Sequence, residues 1–187
     1  PVHDDQIHLT NNNWSFSIEA IAQDLQLPVS VLNDFEAQAW CLLQPQALKL
    51  RWINPVCGVT QWPVALRTIA GPGTGFGAAS LTPGGEVISA EPGHIAFAPT
   101  TRADQQLLQQ LWDWFPRVSV EHLISGPGIA NTYSALARLS GEPTTPETAP
   151  TAAEIISMAD SSPLASQTLQ YFSRWLGSVC GDLALAK

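Results

Sequence analysis

The stretch Val29-Ser-Val-Leu-Asn-Asp34, followed by Phe35-Glu-Ala-Gln-Ala-Trp-Cys-Leu-Leu43, decides the fold class. Its first four residues form a short apolar, β-branched run, which predicts a buried strand, and Phe35 to Leu43 predicts a helix. A strand, a pair of Asx residues and a helix in succession are typical of an α/β protein. Upstream, Gln6 to Asn11 predicts another short strand, and Ser17 is expected to cap a helix that Pro28 ends.

The chain beyond Leu43 predicts a hairpin followed by helices. Residues 45–63 contain three prolines and are interpreted as a crossing between domains. Val64 to Ala70 predicts a strand, and Phe76 to Leu81 with Glu86 to Ala90 predicts a hairpin. The remainder is expected to be mostly helical, with Ser125-Gly-Pro-Gly128 separating two helices.

The composition excludes several classes of protein. The 187 residues are 45% hydrophobic and 13% charged, which is too apolar for a disordered chain. The net charge is -8 and no Lys/Arg cluster occurs, so neither nucleic acid nor an anionic membrane is an expected partner. No stretch approaches the roughly 18 consecutive apolar residues of a membrane-spanning helix. Three widely spaced cysteines without a CxxC motif favour a reducing, cytoplasmic location.

The segment Gly71-Pro-Gly-Thr-Gly-Phe-Gly77 has a glycine at every second position. Such spacing permits positive φ angles and lets several backbone N–H groups turn toward an anion. A dinucleotide fingerprint would have to open a helix, and a Walker A loop would need a following Gly-Lys-Ser/Thr. Neither follows here. Two interpretations stay open: a phosphate-cradling β-turn-β loop with Thr74 as a hydroxyl donor, or an ordinary glycine-rich hairpin.

Asn33 and Asp34 follow the first predicted strand at its carboxyl end, where open α/β sheets place their ligands. In that position Asp34 could accept a proton and Asn33 could bind a hydroxyl group. The alternative is that Asp34 only caps the helix beginning at Phe35.

Two further motifs carry polar groups. In Glu91-Pro-Gly-His94 the Pro-Gly pair excludes the helix that an E-x-x-H metal site needs. A loop that carries a carboxylate and an imidazole suits a polyhydroxylated ligand, although a surface turn is the simpler interpretation. Ser119 is expected to cap a helix, which places Glu121 where the helix dipole favours a carboxylate.

Together, these motifs resemble those of bacterial glucokinases in order and spacing. Each is weak alone, but six in register are specific, and they span nearly the whole chain. They are Leu9-Thr-Asn-x-x-Trp14-x-Phe-Ser17, Leu32-Asn-Asp-Phe35, Gly71-x-Gly-Thr-Gly-x-Gly77, Glu91-x-Gly-His-x-x-Phe-Ala-Pro99, Ser119-x-Glu121 with Ser125-Gly-Pro-Gly128, and Gly181-Asp-Leu-Ala-Leu185.

The resemblance implies an ATP-dependent hexose kinase that converts glucose to its 6-phosphate. It implies an α/β, actin-like ATPase (ribonuclease H-like) fold whose two domains close over the sugar. Residues 1–44 would be part of the small domain and residues 45–187 most of the larger one. The expected substrates are glucose and ATP, and the expected ion is Mg²⁺. The resemblance also implies a cytoplasmic enzyme that could form a homodimer.

The resemblance also implies roles for individual residues. Asp34 would be the general base that receives the proton of the sugar 6-hydroxyl, and Asn33 would bind neighbouring ring hydroxyls. Three side chains would hold the anomeric side of the sugar: Glu91, His94 and Glu121. The loop would bind phosphate through Gly71, Gly73, Thr74, Gly75 and Gly77, with Thr74 near the transferred γ-phosphoryl group.

The chain departs from the family pattern in several places. Ala90-Glu-Pro-Gly-His94 replaces Gly-Glu-Gly-Gly-His, which keeps both ligands but stiffens the loop, and Cys180-Gly-Asp182 stands where Gly-Gly-Asn is expected. The family's N-terminal Asp-x-Gly-Gly-Thr loop, which also organises Mg²⁺, would precede Pro1, and its adenosine-binding segment would follow Lys187. We therefore expect a fragment that does not phosphorylate glucose by itself.

Two other functions stay open at this stage. A glycoside hydrolase would also use paired carboxylates, but the glycine-rich loop would then be superfluous. A non-catalytic sugar-binding module derived from a kinase is suggested by Pro92 and Asp182. Glucose binding without glucose-dependent ATP turnover in the complete protein would identify such a module.

Overall fold

The computed structural model describes residues 2–3, 5–8, 13–49, 51 and 64–186. Within these ranges the chain forms short strands and longer helices. The strands are β1 Val2–His3, β2 Gln6–His8, β3 Ser15–Ser17, β4 Arg67–Pro72, β5 Phe76–Leu81 and β6 Val87–Ala90. The helices are α1 Ile18–Leu25, α2 Asp34–Trp40, α3 Arg102–Trp112, α4 Gly126–Leu139, α5 Ala152–Ser157 and α6 Pro163–Leu185. Single 3₁₀ turns lie at Cys41–Leu43, Pro45–Ala47, Pro92–His94 and Val120–His122.

The described strands form two antiparallel sheets, β1-β2-β3 and β4-β5-β6. In the second sheet β4 pairs with β5 from Arg67 opposite Leu81 to Pro72 opposite Phe76. The predicted hairpin of β5 and β6 is confirmed, and β4 begins three residues later than the sequence suggested. The tip of the glycine-rich segment is therefore a tight turn, Gly73–Gly75, between paired strands.

The strand predicted at Val29 to Leu32 is wrong. These residues have no ladder partner in the described part of the chain, and Val31 and Leu32 are 39% and 46% exposed. A strand needs a neighbour to bond its N–H and C=O groups, and a short apolar run does not reveal whether one exists. The cap predicted upstream is confirmed, because the Ser17 hydroxyl accepts a hydrogen bond from the Ala20 N–H at 2.9 Å.

Helix α2 begins one residue earlier than predicted, at Asp34, and its cap is Asn33. The Asn33 side-chain oxygen accepts a hydrogen bond from the Phe35 N–H at 2.9 Å, so Asp34 is the first helical residue. The alternative interpretation, in which Asp34 only caps this helix, is therefore wrong. Helix α2 packs on the β4-β5-β6 sheet, and the Phe35 ring lies over Gly71 and Gly77, which are opposite each other in the β4–β5 register.

Replacing Gly77 with alanine is expected to destabilise this packing by about 1–3 kcal/mol, the usual cost of overfilling a packed site. A Cβ atom at Gly77 would lie 2.2 Å from Cδ2 of the Phe35 ring, so the ring and α2 would have to shift. The cross-strand partner is a matched control, because a Cβ at Gly71 would lie 3.8 Å from the same ring. Urea unfolding of the two variants is the measurement, and equal stabilities would contradict the close packing of Phe35.

The helices form the main core, in which buried residues of α3, α4 and α6 pack around Trp175. Ser125-Gly-Pro-Gly128, expected to separate two helices, instead opens α4. The Ser125 hydroxyl accepts a hydrogen bond from the Gly128 N–H at 2.9 Å, and Pro127 lies in the first turn, where its missing N–H costs nothing. Among the described residues, no helix is long and apolar enough to span a membrane.

Candidate active site

A cleft of about 730 Å³ lies where the start of α2, the β4–β5 turn, the turn after β6 and the start of α4 meet. It is lined by every residue that the sequence suggested for the site except Gly71. These are Asn33, Asp34, Gly73, Thr74, Gly75, Gly77, Glu91, His94 and Glu121. Gly71 lies beneath Phe35 instead, as part of the support of α2.

Asp34 enters this cleft from the first turn of α2. It is exposed, and one carboxylate oxygen accepts a hydrogen bond from the Phe35 N–H at 2.8 Å. Because Asn33 already caps the helix, α2 does not depend on Asp34 for its cap. An exposed carboxylate at the rim of a cleft can accept a proton from a hydroxyl group bound beside it.

The glycine-rich turn does not use the conformational freedom of glycine. The described glycines with positive φ are Gly85 and Gly141, so the positive φ that the spacing permits between Gly71 and Gly77 is not adopted. The turn is closed by a hydrogen bond from the Gly73 N–H to the Gly75 carbonyl at 2.8 Å and is tied to α4 by one from the Gly126 N–H to the Gly73 carbonyl at 2.9 Å. What this segment requires is the absence of side chains where Phe35 and Glu121 approach it.

Glu91 precedes a single 3₁₀ turn, Pro92–His94, which ends at His94 and in which Pro92 and Gly93 are buried. An antiparallel bridge then joins the chain after His94 to the chain before Glu121, with the Val120 N–H bonded to the Ile95 carbonyl at 2.9 Å. This bridge brings the His94 Nδ1 within 3.1 Å of the Glu121 Oε1. Both side chains therefore face the same ligand space.

Two side-chain hydrogen bonds hold the backbone around Glu121. The cap predicted at Ser119 opens a 3₁₀ turn, Val120–His122, rather than an α-helix, with Glu121 in its first turn. The Ser125 hydroxyl donates to the Glu121 carbonyl at 2.6 Å, and the Asn131 side-chain amide donates to the His122 carbonyl at 2.9 Å. These bonds fix the backbone that carries Glu121.

Sequence reasoning missed several residues of the cleft. His122 lines it with Nδ1 accepting the Ser119 N–H at 3.1 Å and its ring stacked on Phe115 at 4.3 Å between centroids. Ser125 and Asn131 also line it. The cap signal of Ser-Gly-Pro-Gly could have identified Ser125, but nothing local distinguishes Asn131 from any polar residue of a helix.

The cleft offers both hydrogen-bond acceptors and hydrogen-bond donors. Carboxylates of Asp34, Glu91 and Glu121 accept, whereas the His94 ring has both a donor and an acceptor nitrogen. The backbone N–H groups of Thr74 and Gly75 donate to no backbone carbonyl within the described residues and can serve an anion. A ligand that has many hydroxyl groups beside a phosphoryl group matches this set.

Comparisons with known proteins point in the same direction. The model of the glucokinase family matches residues 1–187. The chain is 40% identical to a glucokinase of Aromatoleum aromaticum and 37% identical to one of Zymomonas mobilis, and it covers 56% and 58% of their lengths. These alignments include 99% and 100% of this chain.

Two solved structures share the fold. The crystal structure of a glucokinase from an Antarctic psychrotroph superposes with a TM-score of 0.78 at 36% identity, over 100% of this chain and 58% of that one. A glucokinase from Balamuthia mandrillaris, solved in complex with glucose, superposes with a TM-score of 0.67 at 20% identity, over 83% of this chain and 48% of that one. The predicted α/β, actin-like kinase fold is confirmed by these neighbours. The chain spans somewhat more than half the length of the curated relatives that it matches, and the alignment includes all of its site motifs. It belongs to the glucokinase family, whose model matches it over residues 1–187.

Proposed function

We propose that this chain supplies the sugar cleft and one phosphate-binding loop of a glucokinase, which transfers the γ-phosphoryl group of ATP to the 6-hydroxyl of glucose. The observation that carries the proposal is the convergence of Asp34, the Glu91–His94 turn, Glu121 and the glycine-rich turn on one cleft. Family membership supports a sugar kinase and gives no support to a glycoside hydrolase.

In this proposal the residues at the start of α2 handle the reacting hydroxyl. Asp34 takes the proton of the sugar 6-hydroxyl as the oxygen attacks phosphorus, and Asn33 orients a neighbouring hydroxyl. Phosphoryl transfer depends mainly on positioning and on neutralising charge, so one carboxylate at the hydroxyl is sufficient chemistry from this side of the cleft.

The opposite wall holds the sugar by its anomeric end. With its Nδ1 paired to Glu121, the His94 ring presents Nε2 to a ligand hydroxyl, and Glu121 presents a carboxylate oxygen beside it. Glu91, the residue before the 3₁₀ turn, adds a second carboxylate. Hydrogen bonds to charged groups are about twice as strong as those between neutral groups. This wall therefore contributes affinity, whereas Asp34 contributes turnover.

ATP and Mg²⁺ follow from the family and belong to the same proposal. The N–H groups of Thr74 and Gly75, with the Thr74 hydroxyl, fit a phosphate at the tip of the turn. Mg²⁺ neutralises phosphate charge in kinases and is bound by only one or two carboxylates together with phosphate oxygens. The described residues contain no group of three or more His, Cys, Asp or Glu side chains that could hold a metal, and no residue of this chain is assigned to Mg²⁺.

Glucose titration of the 187-residue chain, followed by calorimetry or by NMR, tests the sugar cleft directly. We expect glucose to bind, and we expect other hexoses to compete with it for the same cleft. No glucose binding, either by the chain or by a full-length glucokinase that contains it, would overturn the proposal.

Glu91→Gln is expected to weaken glucose binding by about 10- to 100-fold, because the loss of a hydrogen bond to a charged group costs roughly 1.5–3 kcal/mol. Glu86→Gln removes the same charge just before strand β6, outside the cleft, and is the matched control. An unchanged glucose affinity in Glu91→Gln would show that the Glu91–His94 segment is only a surface turn.

The remaining expectations are also proposals. A boundary between domains at residues 44 and 45, a cytoplasmic location and a homodimer follow from the family resemblance. Sedimentation of a full-length glucokinase that contains this chain would test the assembly.

A further inference from the structure

The Glu121 carboxylate is held between two elements that the proposed function treats separately. One oxygen, Oε1, lies 3.1 Å from the His94 Nδ1, on the sugar-binding side. The other oxygen, Oε2, lies against the glycine-rich turn, where a Cβ atom built on Gly75 would be 2.8 Å away. The Glu121 side chain is 28% exposed, so most of its surface is covered by these neighbours.

If a side chain were added at Gly75, the Glu121 carboxylate is the group that would have to move. The backbone of Glu121 is fixed by the Ser125 hydroxyl, and the turn is fixed to α4 through the Gly126 N–H and the Gly73 carbonyl. A methyl group at Gly75 would therefore displace the flexible end of Glu121 rather than either backbone. That end is the carboxylate that pairs with His94.

Two other glycines show how specific this contact is. A Cβ atom at Gly73, in the same turn, would have no heavy atom within 4 Å. A Cβ atom at Gly93 would also approach the Glu121 Oε2, at 3.2 Å, but it would lie 2.4 Å from the Phe76 carbonyl oxygen, so a side chain there would disturb the backbone itself. Gly75 is thus the position at which a single methyl group moves the carboxylate and leaves the fold in place.

We propose that Gly75 is a positioning residue for Glu121, so that the glycine-rich turn fixes the position of the carboxylate that holds the sugar. The inference rests on the proposed function for the identity of the sugar, but the contact itself does not. Glycine is required at this point of the turn because the Glu121 carboxylate occupies the space of a side chain.

The His94 imidazole is the reporter, observed by NMR in the 187-residue chain without any ligand. The chain has four histidines, and His94→Gln assigns the signal. Glu121→Gln is expected to shift the His94 imidazole resonances, because it replaces the carboxylate beside Nδ1 with an amide. Gly75→Ala is expected to shift the same resonances, whereas Gly73→Ala is expected to leave them at the wild-type position.

Two further readouts complete the test. The thermal midpoint of Gly75→Ala is expected to match that of Gly73→Ala, because only a side-chain end moves. Glucose affinity without nucleotide is expected to fall about tenfold or more in Gly75→Ala relative to Gly73→Ala, as for the loss of a hydrogen bond to a charged group.

Wild-type His94 resonances in Gly75→Ala, or equal shifts in the two glycine variants, would overturn the inference. So would the absence of any shift in Glu121→Gln. A wild-type chain that shows the expected His94 pattern but binds no glucose would contradict the sugar cleft and leave the positioning of Glu121 supported.

Discussion

Asp34→Asn is expected to lower the kcat of a full-length glucokinase containing this chain by about 10²- to 10⁴-fold, the usual contribution of a general base. The amide can still bond a sugar hydroxyl but accepts no proton, so the KM for glucose should change little. Because Asn33 already caps α2, the substitution leaves the helix cap in place. The loss should therefore appear in turnover and not in the thermal midpoint.

Glu36→Gln is the matched control for this experiment. It removes the same charge from the first turn of α2 at a residue that does not line the cleft. Its kcat should stay close to the wild-type value. Near-native turnover in Asp34→Asn would remove Asp34 from the mechanism, and a parallel loss in Glu36→Gln would show that charge at the helix end matters rather than proton transfer.

Asp104→Ala is expected to cost about 1–3 kcal/mol of unfolding free energy, the usual penalty when a buried group is left without its hydrogen-bond partner. The Asp104 carboxylate is fully buried and joins the start of α3 to α6. One oxygen accepts from Arg174 and, at 3.0 Å, from the Trp175 indole N–H; the other accepts from Thr100 and Thr101. Without it the buried Trp175 N–H loses its acceptor.

Asp113→Ala is the comparison at the other end of α3. Asp113 pairs with Arg138 at 2.7 Å on the surface, where both side chains are about half exposed. Exposed pairs contribute at most about 1 kcal/mol, so this variant should unfold close to wild type in urea. Equal losses in the two variants would contradict the buried role of Asp104.

The Asp104 carboxylate also makes the stability of the protein depend on pH. Burial alone would raise the pKa of Asp104, but hydrogen bonds from Thr101, Trp175 and Thr100 and the charge of Arg174 together lower it below the ordinary value of 3.8. A lowered pKa in the folded state contributes stability above the unfolded pKa, and that stability is lost as the pH falls through the folded value. Wild-type unfolding free energy should therefore decline below about pH 4, and Asp104→Asn should show a flatter decline over that range.

Much of the local structure was predictable from short stretches of sequence. Ser17 caps α1, Ser119 precedes a 3₁₀ turn, and the β5–β6 hairpin lies where its turn residues suggested. These signals act within a few residues, because a capping side chain bonds a nearby N–H and a tight turn sets the pairing of its own strands. The family resemblance depended on six such motifs in register.

Local signals failed where the outcome depended on a partner far along the chain. Val29 to Leu32 has the residues of a strand but no strand to pair with in the described part of the structure. Choosing Asn33 over Asp34 as the cap of α2 required the backbone conformation, in which Asn33 is extended and Asp34 is the first helical residue. Either residue type is a good cap, so composition alone could not decide between them.

The sequence by itself determined which residues could serve a sugar and a phosphate, and tertiary structure decided how they meet. The bridge between Ala96 and Ser119 brings His94 to Glu121. The glycines of the turn proved necessary for close approach by Phe35 and Glu121 rather than for positive φ. Such contacts join residues that are distant in the chain, and their distances follow from the packing of whole elements, which no local pattern of residues encodes.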